Sequence, residues 1–524
     1  MVESLVVSLL WGSIFFSRTP LDGIPFRKPY LAAAPSSLLR LNLIYPPVLR
    51  FTASFGVVAA CGEDEGNCGG RRGLAAVRDI MKGELILTVP KEALMTSESL
   101  RSKDQKLSAA LCKYPKLSSS QVLAVSLLNE VNKGKVTRWY PYLKQLPRSY
   151  DILSSFGRLE IEALQMDDAI WTAERAVEKD KMDWREATAL MGELNLKHQL
   201  STFKAWLWAS ATISSRTMHI PWDSAGCLCP VGDLFNYAAP AEEPYHSENK
   251  ACQNVSPLHD TSPGKVQNSG NSVEEPFDAH VQRLIDAGYE EEIAAYCFYA
   301  RRNYRKGDQV LLSYGTYTNL ELLEHYGFLL HENPNDKAFV PLEPDMYSLC
   351  SWPKDSLYIH QDGKPSFALL ATVRLWATPV THRRSVGHIS HSGHQISGEN
   401  EVTVLEWIVK NCRALLGNCS TSIEEDELLL NTVDKIQDHD TSIDFGDVSR
   451  ACIIELSAFL EMNDRKQCSQ VQMCRKTRSI HRWKLAVEWR LSYKRILCEC
   501  ISHCNERLEY LNLNELDQRN SDSI

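Results

Sequence analysis

A chain of 524 residues with 44% hydrophobic and 23% charged side chains has the composition of an ordinary globular protein, with length for roughly two to four domains. Its net charge of −9 and pI near 6.0 supply no field for holding polyanions, which argues against nucleic acid as a direct ligand. The 16 cysteines are scattered rather than framed as in a small secreted scaffold, which excludes that class and suits reduced thiols inside a cell.

The chain opens on an apolar run, "MVESLVVSLLWGSIFF", that is too short to span a bilayer and carries Glu3 where a signal peptide has basic residues. Arg18, Arg27, Lys28, Arg40 and Arg50 then face a single acid, Asp22, among serines and prolines. That is the composition of an organelle transit peptide, and residues 1–52 read as a targeting or disordered extension. The expected location is the cytoplasm or nucleus, with the chloroplast as the alternative that this composition raises.

From about Ala53 the residues read as strands, and 53–100 form the first part of a β core. In "LAAVRDIMKGELILTVP" a turn falls at Lys82-Gly83, and Leu85, Ile86, Leu87 and Val89 continue as a largely buried strand. The phrase returns as "YARRNYRKGDQVLLSYG": Ala76, Arg78, Ile80, Lys82, Gly83, Glu84, Ile86 and Leu87 fall on Ala300, Arg302, Tyr304, Lys306, Gly307, Asp308, Val310 and Leu311. Two such units are too few for a solenoid and predict two hairpins of one core, separated by inserts. Ahead of the first unit, Gly66, Gly69, Gly70 and Gly73 lack the GxGxxG spacing and open onto a strand, which excludes a dinucleotide fingerprint. Such a cluster still lets backbone approach a ligand closely.

Residues 101–205 read as a helical insert. "SSQVLAVSLLNEVNKG" places Val122, Val125, Leu128 and Val131 on one face and ends at Gly134, a C-terminal cap. "RWYPYLKQLPRSY" is an aromatic, proline-punctuated connector, and helix returns from Asp183 to about Ser210. Residues 206–240 resume the core, and 241–290, polar and without period through most of their length, read as a disordered loop. The last core segment is 291–342, and 343–524 are largely helical, as in "RACIIELSAFLEM" and "HRWKLAVEWRLSYKRILCECISHCNERLEYL". Cys227 with Cys229, and Cys498, Cys500 and Cys504, have short metal-like spacing but no CxxC pair or histidine set. Helical spacing makes the last three core cysteines, and no metal is expected.

There is no GxxxxGK[ST] loop, HExxH or GxSxG elbow, so nucleotide, zinc-protease and serine-hydrolase readings lack a carrier. Three segments remain together: "GRRGLAAVRDIMKGELILTVP", "SRTMHIPWDSAGCLCPVGDLFNY" and "LLSYGTYTNLELLEHYGF". In this order, with the insert between, the sequence resembles the SET-domain protein methyltransferases, in the class related to Rubisco large-subunit lysine methyltransferase. Trp139, Pro141, Tyr142 and Leu143, with Leu146-Pro147, look like that class's hallmark before its insert.

The resemblance implies an α+β fold: a split, knot-like, β-rich SET core with a helical insert and an all-α C-terminal domain of the substrate-binding type. It implies S-adenosyl-L-methionine as cofactor, a protein presenting a lysine as substrate and partner, a monomer, and no nucleic acid or membrane. Tyr314 matches the catalytic tyrosine; Tyr326 and Phe328 match the substrate channel. Glu84, Leu85, Ile86, Arg216, Asp233, Asn236 and Tyr237 match the cofactor positions, with Tyr237 standing where the family usually has histidine. A phenol suits a methyl-transfer channel, since it is uncharged at neutral pH, accepts from an amine, and offers a flat apolar wall. In enzymes of this class that act on histidine the second channel position resembles a serine, so Tyr326 favours lysine. The alternatives are a non-catalytic SET-derived protein-binding module and a protein-histidine methyltransferase.

Overall fold

The computed structural model describes residues 57–61, 72–239, 286–349, 352–437, 449–463 and 470–521. The N-terminal extension, Gly66, Gly69, Gly70 and the polar loop up to 285 lie outside them. Among the described residues no helix is long and apolar enough to cross a membrane.

Each Lys-Gly unit forms a tight turn because its glycine takes positive φ, +82° at Gly83 and +94° at Gly307. The strands they join are β2 (Arg72–Ala76) and β3 (Leu85–Pro90) in the first unit, and β8 (Ala295–Tyr299) and β9 (Gln309–Leu312) in the second. The expected pair of hairpins does not form. Instead β2 pairs antiparallel with β9, and β3 with β8. Ile80 and Tyr304 exchange both backbone hydrogen bonds at 2.9 Å, marking the centre of the cross. Around it the contacts are reciprocal: Gly83 N donates to Ala300 O (2.7 Å) and Gly307 N to Ala76 O (2.8 Å). Lys82 N likewise donates to Asn303 Oδ1 (2.8 Å) and Lys306 N to Asp79 Oδ1 (2.9 Å). The repeat is thus two interlocked arms related by a local two-fold, each satisfying the backbone groups that the other's turn leaves open.

Strand β1 (Val57–Cys61) flanks β2, and β6 (Asn236–Tyr237) lies parallel to β9, giving the order β1-β2-β9-β6. A second sheet has the order β3-β8-β7, where β7 is Ala287–Glu290. The loop read as ending at 290 therefore yields its last residues to an edge strand, because 287–290 find a full antiparallel register on β8. A separate hairpin joins β4 (Thr217–Ile220) to β5 (Asp223–Leu228). Leu74, Val89, Phe235, Phe298 and Val310 make the core between these sheets. Cys227 and Cys229 are buried there as thiols.

The insert is helical as expected, with different bounds. Helix α1 (Ser119–Lys133) starts in a capping box at Ser118 and stops at Gly134, where φ is +63°. It is buried from Gln121 to Glu130 except at Val122, rather than along one face, because it packs between β5 and two further helices. Gln121 stays satisfied there by donating to Asp183 and Glu186. Those helices are α2 (Asp167–Glu193), which begins well before Asp183, and α3 (Phe203–Arg216), which runs past the expected end of the insert into the core segment.

Beyond the core, α4 (Asn319–His325) leads to β10 (Lys337–Phe339), which pairs with β11 (Tyr358–His360) inside the segment expected to be all helix. Helices α5 (Phe367–Ala377), α6 (Arg383–His391), α7 (Gly398–Asn418), α8 (Ile423–Gln437), α9 (Arg450–Asn463) and α10 (Gln470–Ser521) complete the lobe. α10 is its axis, burying Trp483, Leu497, Cys500 and Cys504 against α7 and its neighbours. On it Arg490 and Lys494 are almost fully buried. Asp426 accepts from Arg490 Nη2 at 2.7 Å and from Lys494 Nζ at 2.6 Å, and Glu455 accepts from Arg490 Nη1 at 2.9 Å. Arg490 Nη1 also donates to Ala163 O (2.7 Å), tying the lobe's axis to the insert.

Candidate functional site

The two tyrosines around α4 meet because both ends of the helix are fixed. At its start Thr318 and Glu321 form a capping box, and Asn319 donates from its backbone and side chain to Asp336 at 2.9 Å each. At its end Gly327, with φ of +75°, donates to Leu322 O (3.0 Å) and reverses the chain against the Asp151 backbone. Tyr326 is thereby folded back on Tyr314, with ring centroids 5.1 Å apart.

Tyr237 reaches the same cluster from β6, 5.2 Å from Tyr314 and 5.9 Å from Phe328, and Phe328 lies 6.1 Å from Tyr326. Tyr317 closes one side edge-on to Tyr326 at 5.5 Å. The hydroxyls are committed in a definite direction: Tyr314 donates to Phe235 O, and Tyr237 to Gly315 O at 3.0 Å. The remaining oxygen lone pairs are therefore what Tyr314 can offer an amine. Burial pushes the Tyr237 phenol up to about 12 and raises those of Tyr314 and Tyr326 further, so all three stay neutral at physiological pH. The result is a wall of flat, neutral rings that excludes water and packs on an alkyl chain.

Beside this wall lies a polar hub. Arg216, the last residue of α3, donates through Nη1 to the Asp233 carbonyl (3.0 Å) and carboxylate (3.1 Å), and through Nε to the Tyr150 hydroxyl (3.2 Å). Asp233 also accepts from Tyr142 at 2.9 Å. Burial by itself would lower the Arg216 guanidinium, but the facing Asp233 outweighs it and the cation is held more firmly than usual. Among the described residues Arg216 Nη2 makes no hydrogen bond, and a guanidinium edge of this kind suits a carboxylate. The Asn236 amide and that of Gln309 lie over Gly73: a β-carbon built there would fall 2.8 Å from Asn236 Nδ2 and 2.5 Å from Gln309 Nε2. This close approach is what the last glycine of the cluster permits.

The structure therefore gathers Arg216, Asp233, Asn236, Tyr237, Tyr314, Tyr326 and Phe328. It does not bring Glu84, Leu85 and Ile86 to them by any hydrogen bond or ring contact. Glu84 pairs with Arg78 and accepts from Met81 N, closing its own turn as Asp308 does for the second unit. Leu85 is exposed and Ile86 is in the core. A site reading of the Lys-Gly unit picks out its turn acid, whereas the strand facing Asn236 is β2, which carries Gly73. Tyr142, Tyr150 and Tyr317 escape the sequence reading as site residues. The aromatic connector was a signal for the first two, since a tyrosine beside a buried acid is its natural donor. Tyr317 offered none beyond its place two residues after Gly315. Among the described residues no group of His, Cys, Asp or Glu is arranged to hold a metal ion.

Comparison with known proteins matches residues 71–315 to the SET domain and 345–497 to the Rubisco LSMT substrate-binding domain. The chain is 51% identical over 450 residues to Protein SET DOMAIN GROUP 40 of Arabidopsis thaliana, covering 84% of this chain and 89% of that one. It is 24% identical to the actin-histidine N-methyltransferase of Mus musculus, over 69% of this chain and 59% of that protein, so that match spans under two thirds of the relative. Among solved structures, Rubisco LSMT bound to sinefungin and monomethyllysine aligns with a TM-score of 0.53 at 18% identity, covering 88% and 90% of the two chains. The LSMT SET domain bound to lysine and AdoHcy aligns at 0.52 and 17%, covering 88% and 89%. At those identities the likeness is one of fold. With both domains matched and the whole architecture shared, this chain belongs to the SET-domain methyltransferases of the Rubisco LSMT type, whose cofactor is S-adenosyl-L-methionine.

Proposed function

We propose that this chain is a protein-lysine N-methyltransferase. The observation that carries the reading is the cluster of Tyr237, Tyr314, Tyr326 and Phe328, with its phenols buried and neutral, next to the Arg216–Asp233 pair. The cofactor, when bound, supplies a sulfonium-activated methyl group. Arg216 would hold its carboxylate through Nη2, Asn236 and Gly73 would line its approach, and Asp233 would keep Arg216 oriented. Tyr314 would accept from the target amine through its free lone pairs, steadying the neutral amine in line with the methyl. Tyr326 and Phe328 would pack on the alkyl stem, and alignment by these walls would supply much of the rate. A lysine must lose its proton, at a reference pKa near 10.4, before it can attack, and a water-poor aromatic wall favours that neutral form.

Calorimetric titration with S-adenosylmethionine and its demethylated product tests the cofactor site. Transfer of labelled methyl into plant-extract proteins, with mass-spectrometric mapping of the modified side chain, tests the acceptor. Methyl on lysine is expected; methyl on histidine would transfer the reading to the chemistry of the actin-histidine relatives, and cofactor binding without transfer would leave a binding module. Tyr314→Phe should lower transfer by orders of magnitude with cofactor affinity within a few-fold, and full activity in that variant would overturn Tyr314 as the catalytic residue.

A further inference from the structure

The two Lys-Gly arms are equivalent in sequence, yet their local two-fold fails at one position. Ala76 and Ala300 correspond, as do Arg78 and Arg302, so Val77 in the first arm stands where Arg301 stands in the second. Val77 is exposed. Arg301 is part-buried instead, and its Nη1 donates to the Ala238 and Ala239 carbonyls at 3.3 Å each. Its Nε lies 3.4 Å from the carboxylate of Asp286, a residue that is itself buried. One guanidinium thereby holds the chain where it leaves β6 and where it enters β7.

Both contacts lead to the aromatic cluster. Strand β6 consists of Asn236 and Tyr237, and its parallel register on β9 is continued by Ala238 N, which donates to Leu312 O at 3.0 Å. So short a ladder has few bonds of its own to resist local opening. The Arg301 bonds fall on the carbonyls that follow it. On the other side the Asp286 carboxylate accepts from the backbone N–H of Ser313, the residue before Tyr314. The Asp286 carbonyl accepts from Tyr299 N at 2.7 Å, which anchors the acid to β8. Burial pushes the Asp286 carboxyl up, and Arg301, the Ser313 N–H and Lys82 oppose that rise. Charge-assisted bonds of this kind fix the groups they join more firmly than neutral ones.

We infer that Arg301 and Asp286 form a positioning pair, which joins the end of β6 to the end of β9 and so holds Tyr237 against Tyr314. The two rings have centroids 5.2 Å apart, and Tyr237 donates to Gly315 O at 3.0 Å, a geometry that needs both strand ends in place. A valine at 301, as at 77 in the first arm, would leave the Ala238 and Ala239 carbonyls without this donor and Asp286 buried without its cation. Both residues act through the tyrosines and not on the reacting atoms. The clamp stands on its own geometry; its bearing on methyl transfer rests on the methyltransferase reading.

The test uses the full chain and its variants Arg301→Gln, Arg301→Lys and Asp286→Ala in hydrogen-exchange mass spectrometry. Arg301→Gln should speed exchange about tenfold in segments 236–239 and 313–316 together, although the arginine bonds the backbone of the first alone, and should leave α1 unchanged. Asp286→Ala should open the same two segments, and Arg301→Lys, which keeps the charge and a donor but not the fork, should restore part of the protection. Faster exchange at 236–239 alone, in neither segment, or evenly over the chain would overturn the pair. Transfer of labelled methyl into plant-extract proteins by the same samples should fall about tenfold in Arg301→Gln and recover in part in Arg301→Lys, with the S-adenosylmethionine dissociation constant within a few-fold. Unchanged transfer in Arg301→Gln would strip the pair of its positioning role. A wild-type chain that transfers nothing would sink the methyltransferase reading, and the exchange pattern would still decide the clamp.

Discussion

Gly327 sits between Tyr326 and Phe328 of the aromatic cluster, and replacing it with alanine should damage fold and cluster together. Its φ of +75° costs an L-residue about 1–2 kcal/mol. The new β-carbon would also stand 2.7 Å from the Asp151 carbonyl carbon, 2.9 Å from its oxygen and 3.0 Å from Ile152 N. Ordinary contacts are about 3.5–4.0 Å, so something must give by about 0.5–1 Å. The obstacle is backbone, held by the neighbouring Tyr150 hydroxyl on Arg216 and by buried Ile152, so the strain adds about 1–3 kcal/mol. Gly83→Ala is the matching control: φ is +82°, but nothing lies within 4 Å of the built carbon, so only the backbone cost of about 1–2 kcal/mol applies. Urea or thermal unfolding should therefore show Gly327→Ala less stable than Gly83→Ala. Because relief of the collision displaces Tyr326 and Phe328, methyl transfer should fall by about 10²-fold in the first variant and not in the second. Equal stability of the two variants with transfer intact would refute the argument that the Asp151 backbone sets the position of Tyr326.

Tyr142→Phe removes a donor to the Asp233 carboxylate at 2.9 Å, worth about 1.5–3 kcal/mol for a charged acceptor, and should weaken cofactor binding measured by calorimetry; an unchanged dissociation constant would detach the aromatic connector from the site. Asp426→Asn leaves Arg490 and Lys494 buried with one carboxylate fewer and should destabilise the chain by about 3–5 kcal/mol in urea unfolding, almost independently of salt. Burial raises the phenols of Tyr237, to about 12, and of Tyr314 and Tyr326, so methyl transfer should climb as the target lysine deprotonates, with no falling limb from tyrosine ionisation below about pH 10; a bell centred near pH 8 would contradict this. By the same sign, the stability these neutral phenols contribute is complete below the unfolded tyrosine value near 10 and is lost as pH rises through the folded value, so alkaline unfolding should set in over about pH 10–12.

The sequence determined what local chemistry can write. Glycine marks the two turns and the end of α1 because only glycine takes those positive φ values cheaply, and the Thr318–Glu321 box marks the start of α4. The three ordered segments carried the family resemblance and the tyrosines of the aromatic cluster. Tertiary structure decided everything that depends on partners far apart in the chain. Ala76 and Ala300 align as equivalents, yet no periodicity tells whether each unit pairs with itself or crosses to the other; the crossing depends on Asp79 and Asn303 reaching each other's turns. Tyr142 reads as part of a connector until it is seen donating to Asp233, and Arg490 as one more helix cation until Asp426, Glu455 and the Ala163 carbonyl close around it. Glu84, matched to a cofactor position, is seen to pair with Arg78 at its own turn only in the tertiary structure. Turn and cap preferences act over a few neighbouring residues and are legible in them. Burial and the satisfaction of polar groups are settled only when distant segments compete for the same donors in three dimensions.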